Sequence, residues 1–270
     1  MKLSYVIYTI LMPVVIPVLM SCDGGGQTVT VVGAAFETPL SQEQKLELTA
    51  TYIPTPAISA LTPKTVNTPQ VYKGRAMKHM KDGEMDLAVS ELNKAIEVDP
   101  YHPEAYYNRG IFYGKLGEHE LAIADYTKAI DLDPNYSLAY IGRGLSETYL
   151  DRYNSAIYDY TEAVELDPNN SDIYFLRGWS YFKIDNPELA IADYTRVIEL
   201  DLYNGDAHYM RASLYSFLNQ WDLAITDLDR VIELNPDNGD AHALRGDAYM
   251  SKGEHASGYE DYERARILGE

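Results

Sequence analysis

The sequence predicts an all-α protein: an α-α solenoid of six helix-turn-helix units, preceded by a signal peptide and a disordered tether. Three observations carry this prediction. Residues 69–270 repeat with a period of 34, every period holds two apolar stripes at helical spacing, and breaks such as Leu116-Gly117 and a closing Asp-Pro separate the stripes.

The period is visible as columns. Pro100, Pro134, Pro168 and Pro236 stand in register, with Leu202 in the remaining slot. Tyr72, Tyr106, Tyr140, Tyr174, His208 and His242 form a second column, and Arg75, Arg109, Arg143, Arg177, Arg211 and Arg245 a third. Small residues follow the arginines directly, from Ala76 and Gly110 to Gly246. An alanine column runs through Ala88, Ala122, Ala156, Ala190 and Ala224 and ends in Gly258. The copies span 69–102, 103–136, 137–170, 171–204, 205–238 and 239–270.

Within the second copy, Tyr106, Gly110 and Tyr113 share one helical face, and Ala122, Tyr126 and Ala129 share another. Gly110 and Ala122 let the two backbones approach where the helices cross. The closing Asp-Pro stops the second helix, because the residue before proline is pushed out of the helical region and proline donates no amide hydrogen. With these columns the chain resembles the tetratricopeptide-repeat family. The resemblance implies helix pairs stacked into a solenoid with one continuous core, and a docking surface rather than a catalytic centre.

Ahead of the repeats, residues 1–21 read as a secretory signal: Lys2, an apolar run and a small residue before Cys22. Leu19-Met20-Ser21-Cys22 resembles the lipobox of bacterial lipoproteins, which implies a lipid on Cys22 and an extracytoplasmic, membrane-anchored location in the cell envelope. Met20 is larger than the residue usual in that motif. Residues 3–20 are also just long enough for an uncleaved membrane helix, against which Pro13, Pro17 and the terminal cysteine weigh. Asp23 after the cysteine resembles the signal for retention at an inner membrane. With the only cysteine taken, no disulfide is expected.

Residues 22–68 carry Gly24-Gly25-Gly26, Thr, Ser and Pro39, Pro54, Pro56 and Pro63, the composition of a linker. As a flexible coil it would set the solenoid on the order of 40 Å from the lipid. Its β-branched pieces, 28–36 and 45–53, leave a small hairpin open as the alternative to disorder. The first repeat then opens with Lys73, Arg75, Lys78 and Lys81, a basic cap that is either a solvated end or an attraction to anionic lipid. The last repeat, with Gly258 and a charged final helix, reads as the opposite cap, and partly exposed Ile267 and Leu268 there offer a surface for a weak homodimer.

Only Asp23, Glu37, Glu43 and Glu47 among 41 acidic residues, and Lys2, Lys45 and Lys64 among 22 basic ones, precede the repeats, so nearly all of the formal charge of -19 lies on the solenoid. Nucleic acid is excluded as a partner by that sign. The field instead favours a basic partner, or simply solubility. Beside the packing face of the first helices lies a second apolar stripe: Tyr107 and Ile111, then Ile141, Leu145 and Tyr149, then Phe175, Trp179 and Phe182, then Tyr209 and Phe217. By resemblance to the family this stripe is the concave groove, with Glu104, Asp172, Asp206 and Asp240 as an acidic rim. Such a groove suits a protein or peptide with hydrophobic and basic residues. The competing account gives these side chains to the packing between copies.

Two specialisations of the family are absent. A carboxylate clamp finds Lys73 and Asn108 but meets Met77, Leu138 and Gly142 at its other places, and an asparagine ladder stops because Gly142, Leu176, Met210 and Leu244 follow Asn108. His208 and His242 stand in a packing column, and His79, His102, His119 and His255 form no metal-ligand pattern. Asp125, Asp159, Asp193, Asp227 and Asp261 recur in step with the arginines, which points to Arg-Asp pairing between helices rather than acid-base chemistry. No catalytic residue, metal or cofactor is expected. The sequence therefore predicts a non-enzymatic scaffold or adaptor that assists an envelope complex; the alternatives are an accessory subunit of a cell-wall or secretion enzyme and a spacer with no groove ligand.

Overall fold

The computed structural model describes residues 5–11, 14–20 and 68–269 and divides into two units, 1–62 and 63–270. In the first, β1 (Tyr5–Leu11) and β2 (Val14–Met20) pair antiparallel, with Tyr5 opposite Met20 and Leu11 opposite Val14. The expected all-α solenoid is the architecture of residues 69–268, and ahead of it the described residues 5–11 and 14–20 are extended. The β-branched Val14, Val15, Ile16 and Val18 favour extended backbone, and Pro17 disfavours helix. Among the described residues no helix is long and apolar enough to cross a membrane. Cys22 and the tether pieces 28–36 and 45–53 lie outside the described residues.

Among its described residues the second unit has twelve helices in six pairs. The first helices are α1 (Pro69–Lys81), α3 (Pro103–Lys115), α5 (Ser137–Tyr149), α7 (Ser171–Lys183), α9 (Gly205–Phe217) and α11 (Gly239–Lys252). The second helices are α2 (Met85–Val98), α4 (His119–Leu132), α6 (Tyr153–Leu166), α8 (Pro187–Leu200), α10 (Trp221–Leu234) and α12 (His255–Leu268). Every first helix begins where a predicted copy begins. Asp99, Asp133, Asp167 and Asp201, and Asn235 in the fifth copy, follow the second helices with φ near -140°, so the chain leaves each helix as an extended segment.

Within each pair the turn is made by one residue in the left-handed region. Gly83, Gly117 and Gly253 take it with φ of 79° to 82°, and Asp151, Asp185 and Asn219 take it with φ of 57° to 59°. These six stand 34 residues apart, and aspartate and asparagine are the residues that enter this region most readily after glycine.

The core is the alanine and aromatic columns. Ala88, Ala122, Ala156, Ala190 and Ala224 are fully buried, as are Tyr160 and Tyr194. Gly110 sits where a Cβ would lie 2.8 Å from the Tyr126 ring, so the predicted close crossing is real. Across the same interface the arginine and aspartate columns meet. Arg109, Arg143, Arg177, Arg211 and Arg245 each grip the aspartate 16 residues on with both Nε and Nη2, at 2.6 to 2.9 Å. The pairing by Asp193 holds Arg177 above its ordinary value, and burial pushes the Asp193 carboxyl up. His208 and His242 join this ladder: their Nδ1 atoms lie 2.8 and 2.9 Å from Asp227 and Asp261. The tyrosines of the same column use the backbone instead, Tyr106 and Tyr174 donating to the carbonyls of Pro100 and Pro168.

Candidate functional site

Successive first helices touch at most junctions, so they line the inner side of the curve. Along that side the predicted stripe is solvent-accessible throughout: Tyr107, Ile111, Ile141, Leu145, Phe175, Trp179 and Tyr209 are half-buried, and Tyr149, Phe182 and Phe217 exposed. Four of them also serve the packing. Tyr107 and Ile141 lie against the core of the second and third copies, Phe175 against that of the fourth and fifth, and Tyr209 against that of the fifth and sixth. The two accounts of the stripe thus apply to different faces of the same side chains.

The structure brings five of the ten together. Tyr107, Ile111, Ile141, Leu145 and Tyr149 line one groove between α3 and α5 with a volume of about 510 Å³. Its floor is Tyr126 from α4, against which Tyr107 packs at 5.9 Å between ring centroids. Gly142 forms the opposite wall, and a Cβ there would lie 2.6 Å from Tyr126 Cζ. The same position carries a side chain in Asn108, Leu176, Met210 and Leu244 and none in Gly74 of the first copy, so of the five junctions between copies this one alone places a glycine there. At the mouth, His119 stacks on Tyr149 at 4.6 Å and 11°, and the buried His119 Nδ1 has no hydrogen-bond partner in the protein. Burial pushes the Tyr126 phenol well above its ordinary value, so it stays a neutral donor.

Tyr126, Gly142 and His119 were not among the residues singled out from the sequence as groove candidates. Gly142 carried a signal all the same, as the one glycine in its column after Gly74. The other predicted residues form separate features. Trp179 and Phe182 meet at 5.5 Å with the Lys183 ammonium 5.5 Å over the indole, a cation-π contact that leaves the aromatic pair facing solvent. Phe175 turns its edge to Tyr194 at 5.3 Å, and Phe217 stands exposed at the end of α9.

The acidic rim is discontinuous. Lys73 forms an ion pair with Glu104 and holds its carboxyl below the usual range, so no net charge is offered there. Asp172, Asp206 and Asp240 are exposed in the first turns of α7, α9 and α11, where the amide dipoles also favour an acid. The two residues that fitted a carboxylate clamp are engaged elsewhere: Lys73 with Glu104, and Asn108, buried, donating to the Glu104 carbonyl. Among the described residues no cluster of three His, Cys, Asp or Glu could hold a metal ion.

Stacked helix pairs around an apolar inner groove define an α-α repeat scaffold for protein interaction. Family models described as tetratricopeptide or TPR repeats match residues 78–117, 103–136, 144–185, 171–204 and 209–269, and the chain belongs to the tetratricopeptide-repeat family. No curated protein matches it. Among solved structures it is similar to YrrB, described as a TPR protein with an unusual peptide-binding site, at 25% identity and a TM-score of 0.61 over 66% of this chain and 91% of that one. It is similar also to MamA, at 26% identity and a TM-score of 0.60 over 62% of this chain and 91% of that one. A tetratricopeptide repeat protein from Parabacteroides merdae matches at 19% identity and a TM-score of 0.62 over 74% of this chain and 79% of that one, a likeness of fold alone.

Proposed function

We propose that this protein is a non-enzymatic adaptor whose groove between α3 and α5 holds a peptide segment of a protein partner. The observation that carries the reading is the hollow over Tyr126, walled by Gly142, Ile141 and Leu145 and closed at its mouth by the His119-Tyr149 stack. A hollow of this size takes two or three side chains of a bound segment, and the imidazole of His119 flanks it. The acidic surface draws basic flanking residues. Similarity to YrrB, whose description names a peptide-binding site, supports the reading.

In the same proposal Cys22 carries a lipid, residues 23–68 tether the repeats, and the solenoid works on the outer side of a membrane to assist an envelope complex. The motif Leu19-Met20-Ser21-Cys22 supports it. Mass spectrometry of the protein from membranes tests the anchor: a diacylglycerol on an N-terminal Cys22 is expected, and an unmodified, uncleaved chain would refute it. The groove is tested by affinity capture from detergent-solubilised envelopes with wild type and Ile111→Ala/Leu145→Ala/Tyr149→Ala. Proteins held by wild type and lost by the variant support the adaptor. The same proteins held by both would move the function out of this groove, toward an accessory or spacer role.

A further inference from the structure

We propose that the repeat unit self-associates head to tail, the last copy of one chain docking on the first copy of another. The argument begins with what closes each internal junction. At all five, the ladder arginine sends Nη1 across to one side chain on the second helix of the preceding copy. Asn93, Thr127, Thr161, Thr195 and Asp229 accept it, at 2.6 to 3.2 Å.

Each end of the solenoid keeps one half of such a junction. At the start, Arg75 comes no nearer a carboxylate than 3.6 Å, to Glu91 of its own copy, and its side chain is 45% exposed against 15 to 21% for the other five arginines. At the far end, the column of acceptors continues one period beyond Asp229 to Glu263, which meets only the nearby Arg266 on its own helix among the ion pairs described and is 67% exposed. Donor and acceptor therefore stand at opposite ends in the register that every internal junction uses.

Their surroundings match as well. Between the second and third copies, Ile123 and Thr127 share a cavity with Arg143 and Glu147. The end residues at the same places are Tyr259 and Glu263 on one side and Arg75 and His79 on the other. Helix α1 carries Arg75, Lys78 and Lys81 besides the paired Lys73 and no acid, whereas α12 presents exposed Glu260 and Glu263, with Arg264 held by Asp237 and Arg266 by Glu263, beside Tyr259 and Ile267, 62% and 55% exposed. A basic end with an exposed donor thus faces an end with an exposed acceptor and exposed apolar side chains. A contact that repeats the internal step is heterologous, so it extends the curve into an open chain of molecules instead of closing a symmetric dimer.

Sedimentation velocity on the full chain in detergent, over a concentration series at low and high salt, tests this with Arg75→Glu, Glu263→Arg and the double exchange. All four proteins share residues 1–68, so any association through that segment is common to them. The wild type is expected to gain mass with concentration at low salt and to lose it at high salt. Each single reversal weakens association about tenfold or more, and the double exchange restores it, because the pair is rebuilt with opposite polarity. Both side chains are exposed enough for reversal to leave the helices intact, which circular dichroism checks. A wild type that stays monomeric at every concentration overturns the proposal. So does association that single reversals leave unchanged or the double exchange fails to restore.

Discussion

Arg177 holds Asp193 by two parallel hydrogen bonds, Nε at 2.9 Å and Nη2 at 2.7 Å, while its third nitrogen reaches Thr161 of the preceding copy at 3.2 Å. One guanidinium thus ties together three helices, α6, α7 and α8. Removing the carboxylate leaves a half-buried cation without its partner. Asp193→Ala should cost about 3 to 5 kcal/mol in urea unfolding, and Arg177→Met/Asp193→Leu should cost clearly less, since an apolar pair leaves no charge stranded. Equal losses in the two variants would mean that the pair acts through packing alone.

The left-handed turn residues give a gain of stability. Asp151, Asp185 and Asn219 occupy a backbone region that glycine occupies freely in the other three copies. Asp185→Gly should raise stability by up to about 1 kcal/mol, and Gly117→Ala, at φ 79°, should lower it by about 1 kcal/mol or more. Thermal melts of both variants check the two signs.

Leu202 fills the proline slot and is exposed, and Asp201 before it is already extended at φ -141° and ψ 98°. No backbone hydrogen bond of the Leu202 amide is present to lose. Leu202→Pro should therefore stabilise by about 0.4 to 1 kcal/mol through the unfolded chain, measured as a higher urea midpoint with an unchanged slope.

Glu147 stands in a column that holds His79 in the first copy and Tyr113, Tyr181, Tyr215 and Tyr249 in the others, and those tyrosine rings lie 5.8 to 5.9 Å from their ladder arginines. Its Oε2 is buried without a hydrogen bond, and burial pushes the carboxyl above its ordinary value. A carboxyl raised on folding is best tolerated protonated, so its cost appears as pH rises through the folded value. Glu147→Gln should stabilise by on the order of 1 kcal/mol at neutral pH, and the gain should vanish below the ordinary glutamate range. A gain that is independent of pH would point to a cause other than ionisation.

Gly142→Ala places a methyl into the ring of Tyr126, with 2.6 Å available. The cost should be about 1 to 3 kcal/mol of stability, with partner capture lost in a variant that remains helical. Leu176→Gly, in the same column one copy on, should leave capture unchanged.

How much of this was legible in the sequence depended on how many copies repeat it. The helix bounds, the Gly110 crossing and the Arg-Asp ladder recur six or five times, so each column is its own control. The hollow over Tyr126 has no counterpart in the repeat columns. It depends on one missing side chain at Gly142 and on the angle between neighbouring copies, and no single period encodes that angle. The left-handed turn was visible at Leu116-Gly117 but hidden where aspartate or asparagine replaces glycine. Glu104 was legible as an acid and not as a neutralised one, because its partner Lys73 lies 31 positions away on a different helix. The strands at residues 5–20 run against the helical period and share none of its columns.

Thr127, Thr161 and Thr195 receive the ladder arginines at three consecutive junctions, whereas Asn93 and Asp229 do so at the first and last. The middle copies are thus interchangeable parts between two distinct fittings. Excision of residues 137–170 would bring Arg177 to Thr127 in place of Thr161, the same hydroxyl at the same step. By this route a gene can lengthen or shorten the protein by whole duplications without inventing a new joint.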